Sequence, residues 1–163
     1  MAIVFTCINI FKPEIHSKSL MPALQSAWFV PHVAVYMFAY AMMGAATLFA
    51  IYLWWQSSRR KIQAEEMTAC DTLVKIGWSF LTLGMVMGSL WAKEAWGDYW
   101  TWDPKETWAA ATWLGYLLYM HIRRHLKDYD YTFALLIFNF ILLQMCWWGI
   151  NFLPAAQSSV HVY

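Results

Sequence analysis

A run of twenty-three residues without a charge, Val33 to Trp55, constrains the fold of this chain more than any other feature. About 20 mainly apolar residues are enough to cross a bilayer as a helix. Three more apolar runs follow it along the chain: Ile76 to Ala92, Thr107 to Ile122 and Thr132 to Leu153. The sequence therefore predicts an all-α integral membrane protein with about four transmembrane helices.

Composition excludes several other classes of protein. Of the 163 residues, 61% are hydrophobic and 13% are charged, whereas soluble domains have about 25% charged residues. This excludes a disordered chain, a nucleic-acid binder and an ordinary soluble enzyme. Cys7, Cys70 and Cys146 form no Cys-x-x-Cys pair, which argues against a disulfide framework, a zinc site and a c-type haem attachment site.

The basic residues predict which way the helices point. Segments 56–75 and 123–131 hold seven Lys and Arg residues, and the opposite side holds four. Because Lys and Arg accumulate in cytoplasmic loops, we expect these two segments in the cytoplasm and the connection 93–106 outside. Both termini are then periplasmic in a bacterial inner (plasma) membrane, with a thylakoid membrane as the alternative.

The same reasoning divides the chain into three parts. Residues 1–32 are interpreted as an external leader, because Pro13, Pro22 and Pro31 make them irregular. Residues 33–153 form the predicted four-span membrane domain, and residues 154–163 form an external C-terminal tail.

The connection between the second and third spans is unusually rich in tryptophan. Residues 91–108 read WAKEAWGDYWTWDPKETW and contain five Trp. Gly97 is expected to end the second helix. Asp103 and Glu106 around Pro104 predict the start of the third, because an N-cap Asp, a first-turn Pro and a third-position Glu satisfy helix N–H groups.

Two interpretations of this Trp-rich segment stand on composition alone. In the first, these residues only anchor the segment at the membrane interface, where Trp and Tyr generally concentrate. Five Trp interleaved with charges also suit a flat apolar macrocycle with carboxylate tails, which needs indole faces and cations.

The histidines favour the second interpretation. His32 begins the first span and His161 follows the fourth, so both are expected on the outer face with the Trp-rich segment. Two imidazoles on opposite sides of a flat cofactor are one way of holding haem iron; the alternative for each is a polar interfacial residue. His121 lies about 25 Å along the third helix from Pro104, so it marks either the cytoplasmic interface or a separate functional site.

The sequence WGDYWTWDPKETW closely resembles the Trp-rich WWD signature of the haem-handling proteins of cytochrome c biogenesis, in the CcsA (ResC-type) branch of system II. The resemblance runs from about residue 20 to the C-terminus. It implies that His32 and His161 ligate an external haem presented to apocytochrome c, and that His121 helps to hold a haem inside the membrane. The candidate haem-binding residues are then His32, His161, His121, Trp91, Trp96, Tyr99, Trp100, Trp102, Asp103 and Trp108.

The chain departs from that branch in size. Its members carry further spans ahead of this region, including the membrane histidine that partners the one matching His121. The 163 residues are therefore either the C-terminal portion of a longer protein or one chain of a split protein that needs a CcsB/ResB-like partner.

The function expected from these residues is delivery of haem b to the Cys-x-x-Cys-His of apocytochrome c. No residue resembles a nucleophile or an acid–base pair, so the chain is at most the haem-presenting component of a cytochrome c synthase. The alternatives are an electron-transfer cytochrome b and a cofactor-free membrane scaffold. The expected partners are haem, apocytochrome c and the lipid bilayer, and no nucleic acid.

Overall fold

Four long α-helices follow one another along the part of the chain that the computed structural model describes, residues 25–126 and 129–154. They are α1 (Phe29–Ser57), α2 (Ala64–Trp96), α3 (Pro104–His125) and α4 (Tyr129–Trp147), with a short 3-10 helix at Gly149–Phe152. These described residues contain no strand. The predicted all-α membrane class is confirmed.

Three of the four helices, α1, α2 and α4, are long and apolar enough to cross a membrane. The helix α3 has 22 residues, or about 33 Å, so it is long enough, but it does not reach the hydropathy of a span. Three basic residues in its last turn lower its hydropathy. The buried polar side chains of Thr112, Tyr116 and Tyr119 lower it further. The expectation of four apolar spans therefore holds for three helices, and α3 is the exception.

The helices pack in an antiparallel, up-and-down order. Ser26 ahead of α1 donates a hydrogen bond to Glu94 near the end of α2. At the opposite end of the bundle, Tyr119 of α3 donates to Asp71 of α2. The helix α4 packs against both α3 and α1, and these contacts complete a four-helix bundle. One end of the bundle therefore contains the start of α1, the end of α2, the start of α3 and the end of α4.

The connection between α1 and α2 is shorter than the sequence suggested. The second helix begins at Ala64, with the Gln63 and Glu66 side chains satisfying its first N–H groups, so Lys75 lies within α2 and not in a loop over 56–75. Its 33 residues span about 50 Å, against about 30 Å of hydrocarbon. The charged first turns therefore extend beyond the apolar run that begins at Ile76.

The other helix boundaries follow local signals. The helix α1 begins at Phe29, four residues inside the segment interpreted as a leader. The helix α2 ends where Gly97 takes a left-handed conformation, with φ of 94°, and α3 begins at Pro104 behind an Asp103 cap. The predicted break at Gly97 and the predicted start at Pro104 are both confirmed.

A polar cluster joins α2 to the far end of α3. Arg123 Nε lies 3.3 Å from Asp71 Oδ2, and both side chains are only 17–18% exposed. The Tyr119 hydroxyl donates to Asp71 Oδ1 at 2.9 Å. Arg123 therefore pairs with a carboxylate inside the bundle.

Candidate functional site

A cavity of about 340 Å³ opens at the end of the bundle where the Trp-rich segment lies. Its volume falls near the lower end of the range for small-molecule sites. All four helices and the connection between α2 and α3 contribute to its wall. The residues that line it are Phe29, His32, Val33, Tyr36, Met37, Tyr40, Met85, Gly88, Ser89, Trp91, Ala92, Tyr99, Trp100, Lys105, Glu106, Ala109, Cys146 and Trp147.

His32 lies in the first turn of α1 and is the one histidine among these lining residues. Its Nδ1 lies 2.9 Å from the carbonyl oxygen of Gly84 in α2. Because a carbonyl oxygen can only accept, this hydrogen bond places the proton of a neutral ring on Nδ1 and the lone pair on Nε2. Metal-binding histidines are commonly oriented in this way, with the other ring nitrogen donating to a backbone carbonyl.

Two glycines one turn apart on α2 make room for the rings of α1. A Cβ atom built on Gly88 would lie 2.7 Å from Cε1 and 2.9 Å from Nδ1 of His32. A Cβ built on Gly84 would lie 2.7 Å from Cδ2 of Tyr36. Small residues spaced four apart commonly allow close approach of membrane helices, and here the side chains that use the space are His32 and Tyr36.

Aromatic rings surround His32 on several sides. Its ring stacks on Trp91 with a centroid separation of 5.6 Å and an interplanar angle of 29°. Tyr36 meets the imidazole edge-on at 4.7 Å. Trp91 also contacts Trp96 and Phe29, at 4.8 and 5.3 Å. The imidazole therefore lies in a packed, aromatic environment, which suits contact with a flat macrocycle.

A column of polar aromatic residues leads from His32 into the bundle. Tyr36 and Tyr40 follow His32 at intervals of one helical turn, and their rings contact each other at 5.8 Å. Tyr40 in turn contacts Trp147 of α4 at 5.5 Å. The Cys146 thiol, also on the wall, donates to the carbonyl of Lys105 at 3.7 Å. This contact ties the end of α4 to the start of α3.

The first half of the Trp-rich segment turns away from α2 at Gly97. Lys93 Nζ donates to the Gly97 carbonyl at 2.6 Å and lies 5.3 Å from the ring centroid of Tyr99. A basic side chain in the last turn of a helix satisfies its unpaired carbonyl groups. The turn directs Tyr99 and Trp100 toward the cavity.

The second half is held by a reciprocal cap at the start of α3. Asp103 Oδ1 accepts from the backbone N–H of Lys105 at 3.0 Å. Glu106 Oε2 accepts from the N–H groups of Thr101 and Asp103, at 2.8 and 3.2 Å. These two amides flank Trp102, whose φ of 59° is the one positive value among the non-glycine residues described. The Glu106 carboxylate therefore stabilises a strained backbone conformation at Trp102.

The structure brings together some of the predicted haem-binding residues and separates others. His32, Trp91, Tyr99 and Trp100 all line the cavity. Trp96 packs behind Trp91, and Asp103 is buried as a helix cap.

Three of the predicted residues lie elsewhere, and a fourth lies outside the described part of the chain. Trp102 is 70% exposed and lies outside the cavity wall, and Trp108 is half-buried and also away from it. His121 is exposed near the far end of α3. His161 lies outside the described residues.

Several residues of the cavity wall were not predicted from the sequence. Tyr36 and Tyr40 repeat the position of His32 at four-residue intervals, a pattern visible in the sequence. The Gly84–Gly88 pair is likewise a recognisable spacing. Cys146 and Trp147, by contrast, reach the cavity only because α4 returns to the same end, and no local pattern signals that.

Comparison with known proteins assigns the family. The family model described as "Cytochrome C assembly protein" matches residues 1–156. A "Cytochrome c biogenesis protein CcsA" from Prochlorococcus marinus (strain AS9601) is 31% identical over 191 residues, which cover 98% of this chain and 62% of that protein. Proteins of the same name from Nicotiana tomentosiformis and Chlamydomonas reinhardtii are 30% and 33% identical, over 90% and 95% of this chain. The chain spans 46–62% of the length of these three relatives.

Proposed function

We propose a function on one premise: the chain belongs to the cytochrome c assembly protein family, as a CcsA-type cytochrome c biogenesis protein. It binds haem in the cavity at the Trp-rich end of the bundle and presents it to an apocytochrome c. The observation that carries this proposal is His32, a histidine whose Nδ1 is engaged by a backbone carbonyl and whose ring lies in an aromatic cavity.

The residues of the cavity fit haem chemically. The macrocycle is flat and apolar, and Trp91, Trp100 and Phe29 offer aromatic faces of matching character. Haem iron binds histidine nitrogen, and His32 supplies Nε2. The carboxylate tails need a cation, and Lys105 is the basic residue among those that line the cavity.

The second axial ligand in this proposal is His161, and Trp96 supports Trp91 from behind. Trp102, which is exposed next to the cavity, is assigned to contact with the incoming apocytochrome.

In this proposal the covalent attachment is a reaction between haem and apocytochrome c. Thioether bonds form between the haem vinyl groups and the cysteine thiols of the Cys-x-x-Cys-His. The chain's own residues bind the macrocycle, orient it and exclude water from one face. The cavity is small and reaches exposed side chains such as Tyr99 and Trp147 at its rim. Partial enclosure suits a cargo that another protein must reach.

Further protein segments complete the assembly in this proposal. His121 is exposed on a helix of a membrane protein, and an ionisable residue in that position calls for a partner. The proposed partner is a histidine from the further spans or from a CcsB/ResB-like chain, which together with His121 holds an internal haem. The proposed location is the bacterial inner membrane with both termini periplasmic, and the cyanobacterial and plant relatives keep the thylakoid as the alternative.

An electron-transfer cytochrome b is less well supported. Such a protein keeps its haem between histidines that face each other within the bilayer. Over residues 25–126 and 129–154 the histidines are His32 at one end of the bundle and His121 and His125 at the other. No observation on the described residues favours that function.

Replacing each proposed ligand by glycine tests the proposal. In His32→Gly and His161→Gly the haem spectrum should change, and added imidazole should restore it by occupying the vacated position. His125→Gly is the matched control, because His125 is exposed about 30 Å along α3 from Pro104. An unchanged spectrum in His32→Gly, with no response to imidazole, would show that His32 is not a ligand.

A further inference from the structure

Two glycines of α2 have a more specific relation to His32 than close helix packing requires. The Nδ1 atom of the imidazole lies 2.9 Å from the backbone carbonyl oxygen of Gly84. The same ring lies directly over Gly88, where a single methyl group would come within 2.9 Å of two of its atoms. One glycine therefore supplies the acceptor, and the other supplies the space that lets the ring reach it.

We propose that Gly84 and Gly88 form a backbone seat for His32 that selects Nε2 as its iron-binding nitrogen. The proposal rests on the proposed function and adds two positioning residues to it. Trp91 and Tyr36 complete the seat, since stacking on one and edge contact with the other restrict rotation of the ring.

The seat explains why both positions carry glycine. At Gly88 a side chain would displace the imidazole, and at Gly84 it would displace Tyr36, because a Cβ there lies 2.7 Å from Cδ2. Glycine inside a helix is unfavourable relative to alanine, so two glycines in the second half of α2 need a structural reason. Gly44 in α1 provides a contrast: a Cβ there would meet Phe140 at an ordinary 3.7 Å.

The ring tautomer tests the seat in the haem-free protein. The chain is labelled with ¹⁵N-histidine in detergent, and the His32 signals are identified by their loss in His32→Gln. Long-range couplings at alkaline pH then show which nitrogen carries the proton. A histidine side chain in water prefers the proton on Nε2, whereas the seat requires it on Nδ1. A proton on Nε2 in the unaltered protein would overturn the proposal without any variant having to fold.

The variant Gly88→Ala provides the second test of the seat, with Gly44→Ala as its control. Gly88→Ala should shift the His32 proton toward Nε2 and weaken haem binding about 10–100-fold, the usual effect of losing the outer partner of a metal-bound histidine. Gly44→Ala should leave both readouts unchanged. Retention of the Nδ1 proton and of haem affinity in Gly88→Ala would exclude Gly88 from the seat.

The two proposals fail in different ways. If His32→Gly keeps its haem spectrum, His32 is not a ligand, and the tautomer in the haem-free protein still decides whether the seat exists. If His32→Gly loses haem but the unaltered ring is protonated on Nε2, the ligand assignment stands and the seat is wrong.

Discussion

Replacing Glu106 by alanine tests whether one carboxylate holds the Trp-rich segment in place. Its Oε2 accepts from the amides of Thr101 and Asp103, and the residue is 9% exposed. A hydrogen bond to a charged group contributes about 1.5–3 kcal/mol to stability. A buried donor that loses its partner costs about 1–3 kcal/mol. Asp103 is buried and Thr101 is exposed, so water replaces the lost partner only at Thr101. We expect Glu106→Ala to lower the free energy of unfolding by about 2–3 kcal/mol.

Glu106→Gln separates the loss of the acceptor from the loss of charge. The amide keeps an oxygen that can accept both bonds, and a neutral hydrogen bond contributes about 0.5–1.5 kcal/mol. This variant should therefore lose about half as much as Glu106→Ala. Glu65→Ala is the control: Glu65 is an exposed glutamate in the first turn of α2, and its interaction with the helix dipole is worth about 0.5 kcal/mol.

The measurement is equilibrium unfolding in mixed micelles of a mild detergent and sodium dodecyl sulfate, followed by tryptophan fluorescence. The order of cost should be Glu106→Ala, then Glu106→Gln, then Glu65→Ala. If Glu106→Ala costs no more than Glu65→Ala, the carboxylate does not stabilise the segment. If Glu106→Gln costs as much as Glu106→Ala, the acceptor geometry is not what matters.

Three further predictions concern the cap, the ion pair and the topology. Asp103→Ala should cost about 0.5–2 kcal/mol in the same assay and Asp103→Asn less, because Asn still caps a helix; equal loss of haem from both would instead show that the charge is needed. Asp71→Ala should lower the free energy of unfolding by about 3 kcal/mol, because it leaves the mostly buried Arg123 without its carboxylate. Adding Arg123→Leu should recover part of that loss, whereas strictly additive costs would argue against a coupled pair. In a chain lacking its native cysteines, an impermeant thiol reagent applied to spheroplasts should label cysteine at position 98 and not at 57; the reverse pattern would invert the orientation.

The sequence predicted the local part of the Trp-rich segment well. The break at Gly97, the start of α3 at Pro104 and the cap by Asp103 and Glu106 all occur as expected. Each depends on residues within a few positions of one another, so the sequence contains the whole of the signal. The positive φ of Trp102 was not anticipated, because the chain must bend there to bring two separate amides to one carboxylate.

The sequence predicted the membrane class better than the character of α3. Hydropathy measures the whole circumference of a helix, and α3 turns Thr112, Tyr116 and Tyr119 into the bundle. Polar side chains that face the interior of the bundle lower the hydropathy of the helix that carries them. Arg123 is a further case, since its partner Asp71 lies 52 positions earlier in the chain and no pattern in the sequence connects the two.

What the sequence by itself determined is the class of the protein, the family and the helix ends that border the Trp-rich segment. These follow from apolar runs, capping residues and a contiguous motif, all of which act over short stretches of chain. Tertiary structure alone decided which aromatic residues face the cavity and which nitrogen of His32 lies against the carbonyl of Gly84. Both depend on contacts between residues more than fifty positions apart, such as His32 with Gly84 and Trp91, and such contacts arise only when the helices pack.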